Sequence, residues 1–163
     1  MLWTEVQAMI NAKEETLMRK KIIFWDWLGT LAINSLEKNL YKKNIYDYIS
    51  YAWFLVEQFH AANVKQVIIT NGSDQEILPN VSYMPFKKFE MIMTATHFKP
   101  KPHPQMIDFA LMNLNLATEE AVLIGDTQTD AQAAQSADIE FLKVDGTLRS
   151  YFNIANNFNF IKL

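Results

Sequence analysis

Polar residues able to act together follow three apolar runs in this chain. Ile22-Ile23-Phe24-Trp25 delivers Asp26 into a turn holding Gly29 and Thr30, and Val67-Ile68-Ile69 leads into Thr70-Asn71-Gly72. Ala121-Val122-Leu123-Ile124-Gly125 ends on Asp126, with Asp130 one helical turn beyond, and Lys99 and Lys101 lie in a proline-rich loop upstream. An aspartate closing a buried strand, followed by a glycine that lets backbone amides come close, presents a nucleophile or a metal ligand. Three carboxylates brought together repel one another unless a cation sits between them, and an all-oxygen set suits Mg²⁺. Hydroxyls, amides and a lysine opposite them would hold a phosphate. With Mg²⁺ and the lysine neutralising charge, Asp26 would attack phosphorus and form an aspartyl-phosphate. Each residue also has a plainer reading: Asp26 and Thr70 as turn formers, the lysines as solvated loop residues, Asp126 and Asp130 as a cap with an acid at a helix start. Their occurrence together and in this order is what points to a site.

The elements that must position them follow from the hydrophobic pattern. Leu2 to Met18 has apolar residues near helical spacing and reads as an amphipathic helix. Ile22–Trp27, Val67–Thr70, Glu90–Thr94, Ala121–Ile124 and Ile139–Val144 read as short buried strands. Between them, Ser35 is a suitable N-cap for a long helix from about Leu36 to Ala62 ended by Asn63, Pro104 opens a helix to Asn113, and Thr129–Ser136 forms another. Buried strands alternating with helices imply crossovers, hence an α/β fold of three layers around a mostly parallel five-stranded sheet. In such sheets ligands sit outside the carboxyl ends of the strands, where these polar residues fall.

Composition sets the bounds. The chain has 163 residues, half of them apolar, a formal charge of −3 and no cysteine. It is expected to form one domain, with an N-terminal helix over 1–20, a motif-bearing core over 21–145 and a C-terminal packing segment over 146–163. Scattered Lys and Arg, with small clusters such as Arg19-Lys20-Lys21 read as solvated strand ends, argue against nucleic acid as a partner. The charged start does not read as a signal peptide, no run approaches the roughly 20 apolar residues of a membrane span, and the lack of cysteine fits a reducing compartment. A cytoplasmic location is therefore expected.

From about Lys21 to Val144 the chain resembles the haloacid dehalogenase superfamily. Phe24-Trp25-Asp26-Trp27-Leu28-Gly29-Thr30-Leu31 is similar to its first motif, Ile68-Ile69-Thr70-Asn71-Gly72 to its second, Lys101-Pro102-His103-Pro104 to its third and Leu123-Ile124-Gly125-Asp126 through Asp130 to its fourth. The resemblance implies Asp26 as nucleophile, and Asp26, the Leu28 carbonyl, Asp126 and Asp130 around Mg²⁺. It implies Thr70, Asn71, Thr30 and Lys101 on the phosphate. The Lys-Pro-x-Pro spacing favours Lys101 over Lys99. Asp145-Gly146-Thr147-Leu148 echoes the first motif, but Lys143 stands two residues before Asp145 and the stretch follows the fourth motif, so it reads as a loop.

Family phosphatases carry a second aspartate where this chain has Leu28. That aspartate protonates the leaving oxygen and then activates water, work worth roughly 10²- to 10⁴-fold. Dehalogenase and phosphonatase branches also lack it. The segments 31–67 and 73–98 leave no room for a large cap, so an open site is expected, suited to a phosphorylated small molecule or a larger phosphorylated substrate unless a second copy of the chain covers it. Two function classes follow: a phosphatase of low turnover, or a non-catalytic relative that binds Mg²⁺ or a phosphorylated partner. His60, His97 and His103 lack metal-ligand spacing, and Trp25 and Trp27 are expected to pack under helices on the face opposite Asp26.

Overall fold

A computed structural model describes residues 2–34, 46–83 and 86–161. In chain order the elements are α1 (Leu2–Met18), β1 (Ile22–Trp25), β2 (Ala32–Asn34), β3 (Tyr46–Tyr48), α2 (Ser50–Ala61), β4 (Lys65–Thr70), α3 (Asp74–Ile77), β5 (Met91–Thr94), α4 (Gln105–Leu114), β6 (Ala121–Gly125), α5 (Gln128–Ser136), β7 (Glu140–Lys143) and α6 (Leu148–Asn157). The main sheet runs β5-β4-β1-β6-β7, with every neighbouring pair parallel. This is the expected α/β architecture, and the described residues contain no cap domain.

All four residues of β1 are buried, because the strand is central and helices cover both faces. Its side chains alternate: Ile22 and Phe24 join the apolar layer with Met106, Ile107 and Ala133, while Ile23 and Trp25 join Leu55, Phe59 and Tyr151 on the other face. Trp27 enters that second layer as well, so both tryptophans pack under helices as the alternation requires. Fully burying one such side chain contributes roughly 1.5–3 kcal/mol, and this core offsets the cost of sinking carboxylates at the strand ends. Gln66 is a fully buried polar residue in the middle of the apolar sheet. Its Oε1 accepts from Trp25 Nε1 at 2.9 Å and its Nε2 donates to the Val56 carbonyl at 3.0 Å, tying β1, β4 and α2 together.

The long helix expected from Leu36 is corrected. Ser35 and residues 36–45 lie outside the described residues, Tyr46–Tyr48 pairs antiparallel with Ala32–Asn34, and the helix begins only at Ser50. The reason is visible in the buried positions: Ala52, Leu55, Val56 and Phe59 form the i, i+3, i+4, i+7 stripe, whereas Tyr46-Asp47-Tyr48 alternates and suits an edge pairing. Asn63 ends this segment in the left-handed conformation, φ 57°.

The C-terminal segment packs, as α6, over a sheet face beside α2. Thr147 caps α6, and Tyr151, Ile154 and Phe158 enter the core with Phe59, whose ring lies 4.8 Å from that of Phe158. At the strand ends remote from Asp26, Lys20 is buried rather than solvated, donating to the Glu119 carbonyl at 2.9 Å and pairing with Glu140 at 3.3 Å. Helix α1 keeps only Leu17 buried, with Leu2, Val6, Met9 and Ile10 exposed. No helix among the described residues is long and apolar enough to cross a membrane.

Candidate active site

Asp26 follows directly on β1, and its N–H still donates to the Ile124 carbonyl at 3.0 Å. That bond continues the ladder one residue past the strand and holds the Asp26 backbone. Thr70 is the last residue of β4, and Asp126 follows the last residue of β6. Because β1 lies between these two strands in register, three separate loops converge above one end of the sheet.

The turn after Asp26 is tightly wound. The Trp27 carbonyl accepts from the N–H groups of Thr30, Leu31 and Ala32, and Gly29 N–H donates to the Ala32 carbonyl at 2.7 Å. None of these bonds uses the Leu28 carbonyl, while the Leu28 side chain is 45 % exposed. Gly29 has φ +84°, and a Cβ there would fall on the carboxylate of Asp126. Glycine is thus required twice, for the backbone angle and for the close approach of Asp126. The Thr30 hydroxyl lies 3.3 Å from both Asp26 Oδ2 and Asp126 Oδ1. Its carbonyl accepts from the buried Tyr151 hydroxyl, so α6 braces the turn from behind.

Lys101 is the buried cation of the site. Its Nζ donates to Asp26 Oδ1 and Asp130 Oδ1, both at 2.6 Å. The loop carrying it is clamped by Asn71, whose Oδ1 accepts from Lys101 N–H at 2.7 Å and whose Nδ2 donates to the Lys101 carbonyl at 2.8 Å. The Asn71 amide is therefore committed to placing the lysine. Lys99 does not enter the cluster; its N–H donates to Gln105 Oε1. Asp130 is fixed by α5, because Oδ2 accepts from the N–H and hydroxyl of Thr127 at 3.1 and 2.8 Å in a reciprocal cap. Both Asp130 oxygens are thereby engaged, one by the cap and one by the lysine.

Carboxylate oxygens of Asp26, Asp126 and Asp130 come within 4.8 Å of one another. This hard oxygen set, with a glycine opening the turn for Asp126, fits Mg²⁺. Burial, then repulsion from Asp130, pushes the Asp26 carboxyl up to about 7 against the pull of Lys101. Burial alone would lower the Lys101 ammonium, but Asp26 and Asp130 outweigh it and hold it above the usual lysine value. Three carboxyl groups thus share one ammonium, an arrangement that favours a bound cation.

A cavity of about 270 Å³ opens over Asp26, Thr70, Asn71, Lys101 and Asp130 and is also lined by Leu28 and Glu76. Asp126 and Thr30 are not among the residues that line it. The sequence reading missed Glu76, which no motif carries, and Thr127, although Thr-x-x-Asp before a helix is a recognisable capping pattern. His97 and His103 do not line the cavity: His97 Nε2 sits 2.6 Å from Asp74 Oδ2, and His103 Nδ1 accepts from Gln105 N–H. Asp145 accepts from the N–H and hydroxyl of Thr147 at the start of α6, consistent with a loop.

Residues 4–144 match the family model described as haloacid dehalogenase-like hydrolase. Over 82 residues the chain is 34 % identical to a phosphoglycolate phosphatase of Colwellia psychrerythraea; the match spans 49 % of this chain but only 36 % of that relative's length. The fold is similar to the crystal structure of a HAD-superfamily hydrolase from Ehrlichia chaffeensis, with TM-score 0.67, 17 % identity and 86 % and 96 % of the two chains covered. It is also similar to that of a predicted phosphoglycolate phosphatase from Haemophilus somnus, with TM-score 0.66, 15 % identity and coverages of 77 % and 85 %.

Proposed function

The chain belongs to the haloacid dehalogenase-like hydrolase family, and from that premise we propose that it is a Mg²⁺-dependent phosphatase with Asp26 as nucleophile. The observation carrying this reading is the Lys101 ammonium bridging Asp26 and Asp130 at 2.6 Å on each side, beneath a cavity that Thr70 also lines. A phosphate in that cavity would meet the Thr70 hydroxyl and the ammonium, while Asn71 keeps the lysine in place. Thr30 and Tyr151 hold the turn that aims Asp26. Asp26, Asp126, the Leu28 carbonyl and, in support, Asp130 would hold Mg²⁺, which offsets the charge of the phosphate facing a carboxylate nucleophile.

The substrate class is a phosphate monoester reached through an open mouth. Measuring phosphate release from 2-phosphoglycolate and p-nitrophenyl phosphate, with and without Mg²⁺, tests the proposal. Release that needs Mg²⁺ supports it, and no release from either ester contradicts it.

Leu28 favours a second reading, a protein that binds Mg²⁺ or a phosphorylated partner without turning it over, because leucine can neither give nor take a proton. Leu28→Asp separates the two. If the rest of the site is competent, this substitution raises phosphate-ester hydrolysis by up to about 10²-fold, the lower end of general acid-base catalysis. Rates of the two proteins on p-nitrophenyl phosphate, at matched Mg²⁺ and with melting temperatures compared, check this. An unchanged rate in a folded variant means that another group already does the work or that the site binds without reacting.

A further inference from the structure

Glu76 is a carboxylate of the cavity wall that none of the motif residues accounts for. It lies in α3, half-buried, and lines the cavity together with Asp26, Leu28 and Thr70. Its backbone is held, with N–H donating to the Ser73 carbonyl and its own carbonyl accepting from Asn80 Nδ2, both at 3.0 Å. Its carboxylate makes no hydrogen bond or ion pair among the described residues, whereas Asp26 and Asp130 are both paired to Lys101. A Cβ placed on Gly72 would sit 2.6 Å from Glu76 Oε2 and 3.2 Å from Thr70 Oγ1. The missing side chain at Gly72 therefore lets the Glu76 carboxylate lie over the backbone beside the hydroxyl assigned to the phosphate.

A carboxyl group on the wall of the cavity that holds Asp26 and Thr70 is placed to exchange a proton with whatever binds there. We propose that Glu76 supplies the general acid and base that Leu28 lacks. The inference rests on the reading of Asp26 as a phosphatase nucleophile. In the first step an Asp26 oxygen bonds to phosphorus, the phosphorus–oxygen bond to the alcohol breaks, and the Glu76 proton passes to the departing alkoxide. In the second, the Glu76 carboxylate takes a proton from water as its oxygen bonds to phosphorus. The acyl-phosphate bond then breaks, releasing phosphate and restoring both Asp26 and protonated Glu76. With Glu76 in this role, the gain from Leu28→Asp falls short of the upper bound of about 10²-fold that a site without an acid and base would show.

The test is Glu76→Gln, followed by rapid mixing with p-nitrophenyl phosphate and with 2-phosphoglycolate. Nitrophenolate leaves without a proton, whereas the glycolate alkoxide needs one. The expected result is a loss of steady-state turnover on both esters, of about 10²-fold. It is accompanied by a burst of nitrophenolate equal to the active sites, and by no burst from 2-phosphoglycolate. Unchanged turnover, or a loss without the nitrophenolate burst in a variant with wild-type melting, overturns the role of Glu76 and leaves the Asp26 reading standing. Absence of turnover by the wild type, or turnover indifferent to Asp26→Asn, overturns the phosphatase reading and this inference with it.

Discussion

Asp26→Asn is expected to bring Mg²⁺-dependent phosphate release down to background, a loss of more than about 10³-fold, because the asparagine amide cannot take the nucleophile's place in forming the acyl-phosphate. The fold should survive. In the metal-free protein the Asp26 carboxyl titrates near 7 when folded, against an ordinary value of 3.8. Between those values the folded state keeps a proton that the unfolded chain has lost. Asp26 therefore costs stability progressively as pH rises from about 4 to about 7, and the full cost is present above that window. Asparagine removes it. Metal-free Asp26→Asn should melt at or above the wild type at pH 8, and its advantage should shrink on acidification to pH 5. Thermal melts at the two pH values, beside the rate assay, check both halves. Undiminished activity in the variant would remove Asp26 from the mechanism.

Mg²⁺ should raise the melting temperature of the wild type by about 5 to 10 °C. A cation that binds only the folded state at a hundredfold excess over Kd contributes roughly 2.7 kcal/mol. Each kcal/mol moves the midpoint of a domain of this size by about 2 to 4 °C. Asp126→Ala should erase the response, since its carboxylate approaches Asp26 and Asp130 without a lysine of its own among the described residues. It should also leave the metal-free midpoint no lower, because one member of a repelling trio is gone. The comparison needs a monovalent-salt control of equal ionic strength, as screening alone shifts charged sites. A midpoint indifferent to millimolar Mg²⁺ would argue that the three aspartates do not form a metal site.

The placement of these residues was legible because a buried parallel strand writes itself as an apolar run and its end as the first polar residue. Ile22–Trp25 before Asp26 and Ala121–Gly125 before Asp126 both follow that rule. Proline spacing favoured Lys101 over Lys99, and it is the Lys101 ammonium that reaches Asp26 and Asp130. The pairing of β2 with β3 was not legible, because three residues on each side are too few for a periodic signal and Ser35 offered a plausible helix start. The role of Asn71 as a clamp on the Lys101 backbone was also hidden. A side-chain amide bonded to main chain thirty positions away leaves no local trace. Glu76 reaches the cavity only because Gly72 leaves a gap, a relation between two elements rather than a pattern within either. Tyr151, more than a hundred residues from the turn it braces, is the same kind of long-range contact.

The central claim is that Asp26 becomes covalently phosphorylated. Its most direct test is acid quench of the Mg²⁺-loaded protein within milliseconds of adding p-nitrophenyl phosphate, followed by intact mass measurement and peptide mapping. The expected result is a population carrying one phosphoryl group on Asp26, absent from Asp26→Asn and larger in Glu76→Gln, where the second step is slowed. Turnover without any phosphoryl adduct, or an adduct on a different residue, would contradict it.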